Sequence, residues 1–329
     1  MNNVTQKSIA DALGLSRETV TKGLANDPNI SLRTRERILA KADEMGYVPN
    51  FFARKLVTEK SRIIGLILPK IAHSFFSAIA ERVYEECRKR DYTVISMISF
   101  EDGENEANNI RTLLSMRIDG VIACITRHAT DENIYRRIIR RGIPLVFFDR
   151  VLENLPAPCV VTDDRQMAFQ SVSYALSHGY RRPAHLAGLL DVNIGKERRQ
   201  GFIDALTHHD LDVDQSLIVE CDTTREAGRD RARELLARPD RPDFIFAMND
   251  NIAQGAYDAA REAGLSIPSD LGVIGFGDLD LGQMLVPPLT SVHIPAGLMA
   301  AKAVELIFDP TRKPGKVIIP AELVTRESC

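Results

Sequence analysis

Cysteine is scarce and scattered. The chain holds five, Cys87, Cys124, Cys159, Cys221 and Cys329, an odd number never in C-x-x-C spacing, which argues against a disulfide framework and against a zinc site. Long apolar runs are missing too, for a stretch such as Ile63 to Leu68 is far short of the ~20 residues that span a bilayer. The opening Met1-Asn2-Asn3 is polar and no apolar export segment follows it, so a cytoplasmic protein with no membrane partner is expected. A complete phosphate loop is also lacking, since Gly275-Phe276-Gly277 has no third glycine followed by a helix. His208 and His209, next to Asp210, point in different directions on any regular backbone and suit an exposed connection better than a metal. No group of residues assembles a reaction centre, so neither an enzyme nor a bound cofactor or metal is expected.

What is present is ordinary for a globular protein: 44% hydrophobic and 26% charged residues over 329 positions, a length that implies two or three domains. The net charge of −3 is unevenly spread. Residues 1–60 carry ten Lys/Arg against seven Asp/Glu, and the remainder 32 against 38. A slightly basic head on an acidic body is the electrostatic pattern of a nucleic-acid-binding domain, although a solvated surface shows similar excesses.

The head is the most informative stretch. Ile9, Ala10 and Leu13 recur at helical spacing, Gly14 permits a sharp turn, and Ser16 suits the cap of a second helix that carries Val20 and Leu24 inward. This is a helix-turn-helix pattern, with Arg17, Glu18, Thr21 and Lys22 expected to face outward where they could meet base edges or phosphates. Asn26-Asp27-Pro28 breaks the helix, Ser31 caps a third from Leu32 to Met45, and Gly46 ends it. The next segment, Asn50 to Leu56, is too short for a stable helix in water and is expected to fold on a partner.

Thr19-Val20-Thr21-Lys22, Thr34-Arg35, Gly46-Tyr47-Val48-Pro49-Asn50 and Ala53-Arg54-Lys55-Leu56 together resemble the lactose/galactose repressor (LacI) family of bacterial transcription regulators. The resemblance runs on to Glu322 to Ser328. It implies DNA contacts from Thr5, Ser16, Arg17, Glu18, Thr21, Lys22, Asn29, Thr34 and Tyr47, and a hinge helix in the minor groove that uses Asn50, Ala53 and the wedge Leu56. Thr21-Lys22 stands where the family usually has Ser-Arg, and lysine lacks the planar two-pronged contact of arginine with guanine.

Beyond Ser61, apolar strands alternate with amphipathic helices. Strands are expected at 62–68, 93–99, 120–125 and 145–148, and the alternation resumes at Cys159 with strands at 160–162, 184–187, 217–220, 244–247 and 271–274. Such alternation predicts parallel sheets covered on both faces. The expected fold is a small all-α helix-turn-helix head plus an α/β body of two doubly wound parallel-sheet subdomains, resembling periplasmic binding proteins. The expected divisions are a head at 1–49, a hinge at 50–60, one subdomain from 61–161 plus 292–319, and a second from 162–291 plus 320–329.

In such a body the ligand lies off the carboxyl ends of the strands, between the halves. The resemblance places effector contacts at Phe75, Phe76, Asp149, Arg198 and Asn249, with Arg198 opening a helix and Asp250 capping the next one. Thr223 occupies a position where several members have an aromatic wall, and Gly277-Asp278 replaces the usual Asp-Asp, leaving Asp278, Asp191, Asn193 or Asp280 to supply other donors or acceptors. The implied partners are near-palindromic operator DNA, a small polar effector such as a sugar or sugar derivative, and a second copy of the chain in a homodimer. A solute receptor without DNA activity is the alternative, and the head argues against it.

Overall fold

The computed structural model describes residues 4–47, 60–127 and 131–329. The chain divides into two compact units, Met1–Ser61 and Arg62–Cys329. In the first, α1 (Gln6–Leu13), α2 (Arg17–Leu24) and α3 (Leu32–Glu44) enclose a small core of Ile9, Ala10, Val20, Ile38 and Ala42, with Leu24, Met45 and Tyr47 packed at its edge. Each helix starts on a hydroxyl side chain that accepts from a backbone N–H: Thr5 from Ser8, Ser16 from Thr19, Ser31 from Thr34. Gly14 turns α1 into α2 at φ 64°, a left-handed conformation natural to glycine.

The second unit contains β1 (Ile63–Leu68), α4 (Ser74–Arg88), β2 (Thr93–Ile98), α5 (Gly103–Ser115), β3 (Gly120–Ala123), α6 (Glu132–Arg140), β4 (Leu145–Phe148) and β5 (Pro158–Val161). Then follow α7 (Asp164–Ser177), β6 (Pro183–Gly188), α8 (Asn193–His208), β7 (Ile218–Cys221), α9 (Arg225–Leu236), β8 (Phe244–Ala247), α10 (Asp250–Glu262), β9 (Gly272–Gly277), α11 (Asp280–Gln283) and β10 (Thr290–His293). Last come α12 (Ala296–Phe308), β11 (Gly315–Ile318) and β12 (Glu322–Val324).

These strands form two sheets of the same plan, β11-β5-β4-β3-β1-β2 and β12-β10-β9-β8-β6-β7. All pairings are parallel except β12 with β10. In β1 all six residues are buried, with Ile64, Leu66 and Leu68 in one apolar cluster and Ile63 and Ile67 in another. That alternation is the signature of a strand covered on both faces. The chain passes from the first sheet to the second after Val161, returns after His293 and crosses again after Ile318. The boundary expected between residues 291 and 292 therefore falls inside β10, whose pairing with β9 continues to His293.

The order of each sheet reverses once, between β1 and β3 and between β6 and β8. Such reversals leave a crevice outside the carboxyl ends of the strands, because the connecting helices depart to opposite faces there.

Candidate functional site

On the head, α2 exposes Arg17, Glu18 and Lys22. Lys22 and Glu18 pair at 2.8 Å one turn apart, which raises the lysine pKa and lowers that of the glutamate through their hydrogen bond and charges. A pair so exposed is weak and can open toward a phosphate. Thr21 departs from expectation. It is half-buried, and its hydroxyl points at Gln6 Oε1 (2.8 Å) and the Arg17 carbonyl (2.9 Å), tying α2 to α1. Thr5 and Ser16 are caps, Thr34 bonds the Ser31 hydroxyl at 2.8 Å, Asn29 is exposed, and Tyr47 packs against the head core. Asn50, Ala53 and Leu56 lie outside the described residues.

In the body, a cleft opens where the two sheets present their carboxyl ends. Phe75, Phe76, Asp149, Arg198, Thr223 and Asn249 all line it. Asp149, Thr223 and Asn249 follow strands, Phe75 and Phe76 lie in the first turn of α4 and Arg198 lies within α8, and none is near its neighbour in the sequence except the Phe pair. Phe75 and Phe76 meet edge to face at 5.2 Å. The Arg150 guanidinium lies 5.8 Å from the Phe76 ring centroid and donates to both Glu101 oxygens at 2.9 Å. Asp149 is buried in a left-handed conformation at φ 58°. Burial raises its carboxyl above the usual range, against the opposing charges of Arg150 and Arg198. Glu101 and Leu189, which also line the cleft, share positive φ values of 59° and 48°. Three strained non-glycine residues around one cleft mark a place where surrounding packing overrides local preference.

Arg198 is the most constrained of the group. At 3% exposure it donates through Nε to Asp164 Oδ1 (2.7 Å) and through Nη1 to the Met248 carbonyl (2.6 Å), with Nη2 2.6 Å from the same Asp164 oxygen and its guanidinium 3.6 Å from the Phe276 ring centroid. It does not open a helix. The helix begins at Asn193, because Gly195 lets the first turn settle on the Leu189 carbonyl, where a Cβ would sit only 2.1 Å from the oxygen.

The cap expected of Asp250 is made by Asn249 instead. Asn249 caps α10 through the Ile252 N–H at 2.9 Å while still lining the cleft. Asp250 is fully buried, accepts from the Leu279 N–H (2.6 Å) and Ser291 Oγ (2.5 Å), and is pushed up to about 6, chiefly by burial. Asp191, Asn193 and Asp278 are not among the cleft-lining residues. Asp278 is held by Arg326 at 2.6 Å and His293 at 3.1 Å. Asn193 bridges the two halves, accepting from the Val151 N–H (3.0 Å) and donating to the Asp149 carbonyl (2.9 Å). Asp191 lies 3.9 Å from Arg127, a first-half residue that also pairs with Glu220 at 3.3 Å and with Asp222. Asp280 is exposed on α11.

Lining residues not singled out from sequence include Lys70, His73, Glu101, Met248 and Ile294. Position after a strand was their only signal. Burial and the charges of Arg150, Lys70 and Arg198 lower the His73 pKa to about 4, so the ring is neutral at pH 7. Among the described residues no three His, Cys, Asp or Glu side chains are placed to hold a metal, and no helix is long and apolar enough to cross a membrane.

A helix-turn-helix head joined to a two-sheet, solute-receptor-like body defines a DNA-binding regulator with a sensor domain. Comparison with known proteins gives the family. Residues 5–50 match the model described as bacterial regulatory proteins of the lacI family, and residues 61–327 match periplasmic binding proteins and the sugar binding domain of the LacI family. The transcriptional repressor CytR of Escherichia coli K12 is 30% identical over 328 residues, covering 98% of this chain and 96% of that protein. A solved complex of the regulator CelR with cellobiose is 26% identical at a TM-score of 0.75, covering 99% of this chain and 100% of that one. The Lac repressor bound to ONPG, at 23% identity, shares the fold at a TM-score of 0.87 over 100% of both chains. The protein belongs to the LacI family of transcriptional repressors.

Proposed function

We propose that this repressor works as a homodimer on a near-palindromic operator, and that a small polyhydroxylated effector in the body cleft sets its affinity for DNA. The observation that carries this reading is the cleft itself, in which Asp149, Arg198 and Asn249, more than forty positions apart, converge beside the edge-to-face pair Phe75 and Phe76. Carboxylate, guanidinium and amide beside aromatic faces suit hydroxyl recognition. Asn193 and Arg127 link the two halves across the cleft, so a ligand there favours one closure angle over another. Residues 50–60 connect the head to this body, and a hinge helix in that segment, with Leu56 as wedge, is the two-state element that closure biases.

Selection of bound duplexes from a random DNA library tests the DNA arm. Enrichment of two half-sites related by a twofold axis is expected, and recovery of no sequence above background would overturn the reading. Lys22→Ala should weaken binding. A loss uniform across operator variants, with a salt slope shallower by about one, marks a phosphate contact, whereas relaxed preference at one base pair marks base readout. An unchanged dissociation constant would remove Lys22 from the recognition surface.

A further inference from the structure

The cleft contains one cation more than its pairings use. Arg150 is matched by Glu101, whose two oxygens it contacts at 2.9 Å, and Arg198 by Asp164 at 2.6 Å. Asp149, the remaining carboxyl, sits 4.0 Å from Arg150 Nε and accepts from Cys124 Sγ at 3.7 Å. Lys70, two residues beyond the end of β1, lines the cleft and is half-buried. No hydrogen bond or ion pair engages it among the described residues. Arg150, which also lines the cleft, is only 5% exposed, and its buried Nε makes no hydrogen bond.

The helix ends around the cleft also favour an anion. Among the described helices of eight residues or more, α4, α8 and α12 alone start without a side-chain cap, and none has an acidic residue in its first turn. All three start at the cleft, which His73, Ile194 and Ile294 line at or beside those ends. Their free N–H groups and dipoles add positive potential where Lys70 already stands. The neighbouring His73 is held neutral chiefly by its burial, with Arg150, Lys70 and Arg198 acting in the same direction.

Resting on the cleft reading above, we infer that the effector is anionic, a polyhydroxylated acid or phosphate whose negative group is bound by Lys70 beside Arg150. A neutral sugar would leave the ammonium group of Lys70 unpaired in a partly desolvated site, whereas an anion there gains a charge-assisted hydrogen bond.

Matched sets of aldose, aldonate, uronate and sugar phosphate, titrated calorimetrically into the full-length protein and into Lys70→Gln and Lys70→Arg, test this. The expected result is binding of an anionic member and not of its neutral parent, a roughly ten- to hundredfold weaker dissociation constant in Lys70→Gln, and recovery in Lys70→Arg. The split between carboxylate and phosphate members identifies the anionic group. Lys70 lies in a loop and its loss leaves the fold intact, which a thermal melt verifies. A neutral sugar that binds as tightly as its acid, or a wild-type dissociation constant in Lys70→Gln, overturns the inference and leaves the cleft reading standing. If no member of any set binds, both fall.

Discussion

Arg198 shows how burial changes the meaning of a charged side chain. Its guanidinium and the Asp164 carboxylate are each about 4% exposed, so removing one leaves the other uncompensated in a medium that solvates it poorly. Arg198→Ala should destabilise the body by about 3–5 kcal/mol, and urea denaturation measures this. A change below about 0.5 kcal/mol is the value for an ordinary surface residue and would contradict the buried pair. Two other buried groups make stability depend on pH in opposite directions. His185 stacks between Phe202 and Phe246, and burial lowers it to about 4. The unfolded chain takes up that proton first, so the stability it contributes is present above the usual value near 6.5 and is lost as pH falls toward 4, by about 3 kcal/mol at most. Asp250, raised to about 6, behaves inversely: its penalty is complete above pH 6 and is relieved as pH falls toward the usual carboxyl range. His185→Phe should therefore flatten the acid loss of melting temperature between pH 6.5 and 4, and an unaltered slope would show that His185 is not its source.

Elements differ in what holds their ends. The head helices are short, and α1 and α2 of eight residues each could not persist alone in water. Their caps matter correspondingly. Ser16→Ala removes the acceptor of the Thr19 N–H (3.0 Å) and should cost the head about 1 kcal/mol, read as a lower melting midpoint of residues 1–61 with no change in the body transition. Equal midpoints for both proteins would mean that water replaces the cap fully. Close contact makes one more demand on this element: a Cβ at Gly23 would lie 2.5 Å from Ile38 Cδ1, so the α2–α3 contact needs glycine there unless that side chain shifts.

For the whole molecule, the proposed function requires the two body halves to meet at a defined angle. Asn193 reaches across with two hydrogen bonds to Val151 and Asp149, and Arg127 with an ion-pair cluster on Glu220 and Asp222. The arginine cluster is partly exposed and weakens with salt, whereas the Asn193 contacts are half-buried and do not depend on charge. Asn193→Ala should widen the distribution of closure angles, seen as a larger radius of gyration of the body in small-angle scattering, and should weaken effector binding severalfold. An unchanged radius together with unchanged affinity would exclude Asn193 as a clasp.

Much of this architecture was legible in the residues alone. Helical spacing of Ile9, Leu13 and Val20, hydroxyls at Ser16 and Ser31, and the apolar strands alternating with helices are local patterns, set by backbone geometry that extends over a few residues. They determined the three-helix head, the two strand-helix halves and the strand ends where Asp149 and Asn249 stand. What they left undecided depends on partners distant in the chain. Arg198 finds Asp164 34 residues away, Asp278 is engaged by Arg326 48 residues away, and Arg150 reaches Glu101 across 49. No periodicity encodes such pairs, because they arise only when the sheets pack and bring separate loops together. Whether a charge is matched or left over, as at Lys70, is therefore decided by the tertiary structure, since desolvation and Coulomb energy depend on distance in space and not on separation along the chain.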